Sequence, residues 1–231
     1  MRFTQDSVSN PNKAIQIAGN AIPIRKRMST TDRRRQIIDG AIQFFAKNGL
    51  DGQLRNLTKE LGITHALLYH YFPTKDALIK EVYEEVFESR WKPEWESLLD
   101  NSKLSPQEKL NAFYIDYSRT FLTHDVVRIL IFSGLSDRTI SDRFFEMLRS
   151  RLIPRLIRET RKYCQRNTRA KPSHRELEHL MGLHGGIFYI AIRRWIYGQA
   201  IYDAGNPNTE QEVIRDRVDS YLLAAKTQFT N

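Results

Sequence analysis

Six histidines and one cysteine are the side chains of this 231-residue chain best suited to acid–base, metal or nucleophilic chemistry. Their spacing argues against most of it. His124 and Asp125 are adjacent, and neighbours on a helix point apart. His174, Glu178, His179 and His184 suggest a metal site, yet only His174 and Glu178 have the i, i+4 spacing that brings ligands to one helix face. Glycine-rich phosphate loops are absent, as is any Ser/His/Asp arrangement with recognisable context. Cys164 has basic neighbours, Lys162 and Arg166, which would lower its pKa and make it a candidate redox-sensing thiol. A lone cysteine has no resolving partner, excludes an internal disulfide and suits a reducing cytoplasm. No cofactor and no metal are expected.

His65 and His70 belong to a different arrangement, the segment 54–78. Leu54, Leu57 and Leu61 fall on one face of a short helix, and Gly62 can take φ > 0 where the chain must turn. Thr64 can cap a second short helix whose inward face is Ile63, Leu67, Leu68, Tyr71 and Phe72. His65, Ala66, Tyr69 and His70 are left on the outer face. Two short helices joined by a glycine turn make a helix-turn-helix, whose second helix is shaped for the major groove of DNA. Pro73 disfavours helical geometry at Phe72 and stops that helix. Thr74 then caps a fourth helix, with Asp76 near the positive end of its dipole. Upstream, Ile37, Ile38, Ala41, Phe44 and Phe45 form the stripe of a longer helix ending at Lys47-Asn48-Gly49.

This long helix, the turn motif and the fourth helix together resemble the DNA-binding domain of the TetR family of transcriptional regulators, over residues 31–86. The most specific string is Gly62-Ile63-Thr64 through Leu68-Tyr69-His70-Tyr71-Phe72-Pro73-Thr74-Lys75-Asp76-Ala77-Leu78. Two positions depart from the family pattern. Gln53 stands where the family usually has a capping Thr or Ser, so either Asp51 substitutes or the second helix starts more loosely. Thr58 stands where a small residue is usual; its hydroxyl can bond to a carbonyl one turn earlier, so the packing survives.

The resemblance implies a role for each matching residue. Arg55 would reach a base edge or a phosphate, and Thr64, His65, Ala66 and His70 would face the groove floor. Tyr69 and Lys75 would grip phosphates, with amides at the start of the fourth helix assisting. It also implies a homodimer through the last two helices and a small-molecule effector bound among the helices between. Phe113, Tyr117, Phe132 and Phe188 are candidates to line such a pocket, with Arg128 and His184 as polar handles. Their aromatic character suits an apolar or mixed-polarity effector. The implied function is sequence-specific DNA binding in transcriptional regulation, as a repressor released from its operator by the effector. A helical enzyme and an architectural DNA-binding protein without effector control are the competing readings.

Composition fits the first reading. Residues 1–80 hold 13 Lys/Arg against 6 Asp/Glu, and the remainder 23 against 21, so most of the net +9 lies in the N-terminal third. A local basic surplus is the footprint of a surface that approaches phosphates.

Residues 1–29 lack a clean period and read as a flexible arm. Its Arg25-Lys26-Arg27 cluster either reaches into a neighbouring groove, or the chain naturally starts at Met28 rather than Met1, or the arm is inert. Residues 30–78 are expected to be the helix-turn-helix domain, and 79–231 a helical ligand-binding and dimerisation domain. Helix-start signals recur at Ser105-Pro106-Gln107-Glu108, Ser173-His174-Arg175-Glu176 and Thr209-Glu210-Gln211-Glu212. Further helices are expected over 74–91, 126–135, 142–166, 174–204 and 208–227. The third of these would turn Phe144, Phe145, Leu148, Leu152 and Leu156 inward. Gly182, Gly185 and Gly186, with a surplus of apolar residues around them, would let another helix approach closely and form a two-fold interface. No alternating strand pattern occurs, and the apolar run 180–192 is too short to span a bilayer. The chain is expected to be all-α, with about nine helices.

Overall fold

The computed structural model describes residues 28–199 and 208–229. The arm, with Arg25-Lys26-Arg27 and the question of its start, lies outside them. Among the described residues the regular elements are all helical, as expected.

The first helix, α1 (Thr30–Asn48), begins at Ser29, whose hydroxyl oxygen accepts from the Asp32 amide, and ends at Gly49, where φ is +80°. Then come α2 (Leu54–Leu61), α3 (His65–Tyr71) and α4 (Lys75–Tyr83), the last running on into a π-helical turn, Glu84–Glu88. The second part of the chain forms α5 (Pro93–Asp100), α6 (Pro106–Phe121), α7 (His124–Leu135), α8 (Thr139–Met147), α9 (Ile153–Tyr163), α10 (His174–Trp195) and α11 (Thr209–Phe229).

Ser105 and Ser173 form capping boxes with Glu108 and Glu176. Thr209 is instead the first residue inside α11. The helix expected over 142–166 starts earlier and is two segments joined by a second π turn, Leu148–Leu152. Pro154 explains the break: without an N–H it cannot donate to the carbonyl four residues back, and its ring crowds that turn. Phe144 is buried but Phe145 is exposed, against expectation. Successive residues on a helix lie about 100° apart, and here Phe144 takes the core side while Phe145 turns outward. The helix expected to reach residue 204 stops at Trp195, and Gly198 follows in the left-handed region at φ +64°.

One continuous apolar core runs from Ile37 in α1 to Leu222 in α11. Helix α1 packs on α2, α4 and α7; α6 lies between α5, α9 and α11; α10 lies against α7, α9 and α11. A column of aromatic rings fills the centre, with Trp95 against Phe113, Tyr117 and Phe121, and Phe121 against Phe87 and Phe144. Two ion pairs are buried here. Lys109 donates to Glu159 at 2.8 Å, and Arg161 holds Glu176 with two bonds of 2.7 and 2.8 Å. The Arg161 pairing brings the Glu176 carboxyl down to about 2.

Candidate nucleic-acid interface

Local chemistry fixes the turn between α2 and α3. Gly62 adopts φ +63°, ψ +34°, and the amides of Gly62 and Ile63 donate to the Lys59 and Thr58 carbonyls, closing α2. Thr64 accepts from the Leu67 amide at 3.1 Å and so opens α3; Thr74 does the same for α4 with Ala77, at 3.0 Å. Gln53 provides no side-chain cap, and Asp51 accepts from the Ser136 hydroxyl, so the looser start of α2 is the one realised. The Thr58 hydroxyl bonds back to the Arg55 carbonyl at 2.9 Å.

Burial then selects the face. Leu68 and Phe72 are buried, with Ile63, Leu67 and Tyr71 partly so, and Thr64, His65, Ala66, Tyr69 and His70 are exposed. Tyr69 meets His65 edge-on with centroids 4.8 Å apart, which limits where its hydroxyl can swing. Arg34 stacks over Phe72 and pairs with Glu81 at 2.7 Å, and Arg35 pairs with Glu85 at 2.8 Å. These contacts clamp α1 and α4 around the end of α3.

Arg55 and His65 border one shallow groove together with Asn56, Lys59 and Ile63. Two cations and no carboxylate line it, which suits a phosphate backbone. Sequence reasoning missed Asn56 and Lys59. Lys59 lies one turn beyond Arg55 on the exposed side of α2, so the i, i+4 spacing was the available signal. Lys75 sits half-buried in the first turn of α4.

The six effector candidates fall in different places. Phe113, Tyr117 and His184 come together, with the Tyr117 hydroxyl 3.3 Å from His184 Nε2, and Phe188 is half-buried against the same core. Arg128 and Phe132 stand apart, at the joint of α7 with α1. The Arg128 guanidinium stacks over Phe132 and donates to the carbonyl oxygens of Ala46 and Trp195. The Phe132 ring lies against Gly49. A small cavity does occur beside His184, walled partly by Leu148, Leu152 and Leu156, which were expected to face inward; Tyr114, its other polar member, was not singled out from the sequence.

Other chemistry read from the sequence dissolves. Asp125 pairs with Arg90, while His124 meets the Trp195 ring edge-on. Among the described residues no group of His, Cys, Asp and Glu gathers to hold a metal. Cys164 is buried, and burial pushes its thiol up in spite of Arg166. That speaks further against the redox-sensing alternative, since a reactive thiol needs the opposite shift. No helix among the described residues is long and apolar enough to cross a membrane.

Residues 37–82 match the family described as bacterial regulatory proteins, tetR family. A 47-residue stretch is 45% identical to the HTH-type transcriptional repressor Rv1474c of Mycobacterium tuberculosis (strain ATCC 25618 / H37Rv). That stretch is 20% of this chain and only a quarter of the repressor's length. In fold, the chain is similar to the fatty acid degradation regulator FadR from Bacillus halodurans (TM-score 0.59, 16% identity, 84% of this chain and 97% of that one). It is likewise similar to a TetR-like transcriptional regulator from Rhodococcus sp. RHA1 (TM-score 0.58, 16% identity, 87% and 100%). The turn motif and the helical body around it therefore define a TetR-type regulator fold. Within it, residues 37–82 carry the N-terminal domain shared by the tetR family of bacterial regulatory proteins.

Proposed function

We propose that the protein binds a specific duplex DNA site as a homodimer and represses transcription there until a small molecule releases it. The observation that carries this is the outer face of α3, where Thr64, His65, Ala66, Tyr69 and His70 are exposed on a helix capped and clamped from behind. On this reading Thr64, His65, Ala66 and His70 read base edges, Arg55 reaches a guanine or a phosphate, and Tyr69 and Lys75 hold the backbone. Residues 30–78 act as the reading head and 79–231 as the body that pairs the heads.

Pairing through α10 and α11 is supported by surface chemistry. Gly182 and Gly185 are exposed on α10, and among the described residues a Cβ at either would meet nothing within 4 Å. Tyr189 and Leu223 are large apolar side chains left 48% and 64% exposed on those helices. Gly186, by contrast, lies against Arg217 of α11 and serves packing inside the chain. A second copy laid across this face would bury what a monomer exposes.

The test compares Arg55→Ala and Lys75→Ala with wild type on a selected site and on random duplex at two salt concentrations. Lys75→Ala is expected to weaken both DNAs alike and to lower the salt slope by about one. Arg55→Ala is expected to relax preference at one base position, at a cost of about 1–3 kcal/mol, if guanine is its partner, and to behave like Lys75→Ala if phosphate is. Wild-type affinity and salt slope in both variants would refute the assignment.

A further inference from the structure

A groove of about 560 Å³ opens between the end of α4 and the joint of α8 with α9. That volume is within the usual range for ligand pockets. The two π turns of the described residues both border it, the first through Glu88 and the second through Ser150 and Arg151. Such turns are rare and recur at functional sites. Two guanidiniums lie on aromatic rings in its wall, Arg143 over Tyr83 at 3.8 Å from the ring centroid and Arg151 over Trp91 at 5.1 Å. Arg143 is also paired with Glu88 at 3.1 Å, and Glu146 is taken by Arg149 at 2.9 Å. Arg151 pairs with no carboxylate among the described residues, so one cation in the groove is left uncompensated. Beneath it the Trp91 side chain is nine-tenths buried, and its indole N–H has no acceptor, which native interiors rarely allow. The other two indoles are satisfied: Trp95 donates to Asp116 and Trp195 to the Leu122 carbonyl, each at 2.8 Å.

From this geometry we infer a binding site for a small organic carboxylate, which takes the open edge of the Arg151 guanidinium and accepts from the Trp91 indole. A guanidinium stacked on a ring keeps its N–H edge free for two parallel bonds to a carboxylate. Glu88 and Glu146 flank the site, so a second negative charge is repelled and a monoanion is preferred to a phosphate dianion. Met147 and the aromatic wall offer apolar surface to the body of the ligand. None of the six effector candidates read from the sequence borders this groove. The inference names the chemical class of the effector and rests on the regulator reading only for its consequence at DNA. An occupant tying Arg151 to Trp91 holds the far end of α4, whose first turn follows the reading helix α3.

Benzoate, benzyl alcohol and phenyl phosphate serve as probes of full-length protein carrying ¹⁵N-indole tryptophan. All are added at matched ionic strength and about pH 8, where the phosphate is a dianion. The chain has three tryptophans, and Trp91→Phe identifies the signal that belongs to the groove. The expected result is that benzoate shifts the Trp91 signal saturably, leaves that of Trp195 in place, and binds about tenfold tighter than either other probe. In Arg151→Met the preference for benzoate over the alcohol disappears while the Trp195 signal stays, which an unfolded variant could not show. A Trp91 signal unmoved by benzoate overturns the proposal. So does equal movement of the Trp91 and Trp195 signals, phenyl phosphate binding as tightly as benzoate, or an intact preference in Arg151→Met. Benzoate binding that depends on Arg151 yet leaves affinity for a selected duplex unchanged upholds the site and contradicts the effector role.

Discussion

His184 shows how burial turns one side chain into a pH-dependent liability. Its ring, enclosed by Tyr114 and Tyr117, takes a proton only near pH 4, whereas the unfolded chain takes one near 6.5. Between those values the unfolded state binds the extra proton, so stability falls as pH is lowered from 6.5 toward 4, by up to about 3 kcal/mol. Glu176 acts in the same sense but lower. Held to about 2 by Arg161, it contributes stability above its ordinary 4.5 that is lost as pH falls toward 2. Urea denaturation between pH 6.5 and 4.5 separates the two. Wild type is expected to lose stability across that window and His184→Gln to stay nearly level; equal slopes would disprove the assignment. Residue identity alone did not reveal this. His184 was legible as a polar handle in an apolar helix, but its partners Tyr117 and Tyr114 lie about seventy residues away along the chain. Tyr114 was hidden for the same reason, because its buried, unpartnered hydroxyl is a property of the packed core.

Elements were legible wherever their cause was local. Thr64, Thr74, Ser105 and Ser173 cap helices because each acts on an amide three residues on, and the sequence carries that relation entire. Thr64→Ala removes the only side-chain cap of a seven-residue helix and is expected to cost about 1 kcal/mol of stability. Thermal melts should show this, with a larger proportional loss of DNA affinity because α3 frays at its reading end; unchanged melting and binding would contradict it. Elements misjudged from sequence had competing or distant causes. The rod around Pro154 looked continuous because its leucines keep helical spacing across the π turn. The end of α10 was set too late because the apolar pattern continues through Ile196, while Gly198 turns the chain away. At the head of α2, Gln53 left two starts open, and the choice was decided by Ser136 drawing Asp51 to α7.

At the scale of the whole molecule, one apolar core joins the helix-turn-helix to the helical body, so the two are not mechanically independent. The ties are specific. Arg34 and Arg35 fasten α1 to α4 and its π turn, Arg90 fastens that segment to Asp125, and Arg128 bridges the ends of α1 and α10. A displacement in the body near His184 has a packed route through α10 and α7 to the reading head. The head itself was read from the sequence almost whole, because its motif is short and contiguous. The routes were not, since each joins residues dozens of positions apart. The central claim, that the outer face of α3 reads duplex DNA in paired copies, is tested most directly by selecting bound duplexes from a random pool and sequencing them. The account predicts enrichment of a two-fold symmetric site, saturated by two chains and no longer enriched by a His65→Ala/Tyr69→Ala/His70→Ala variant that still folds. A pool that stays random with wild type, or the same enriched site with the triple variant, would contradict it.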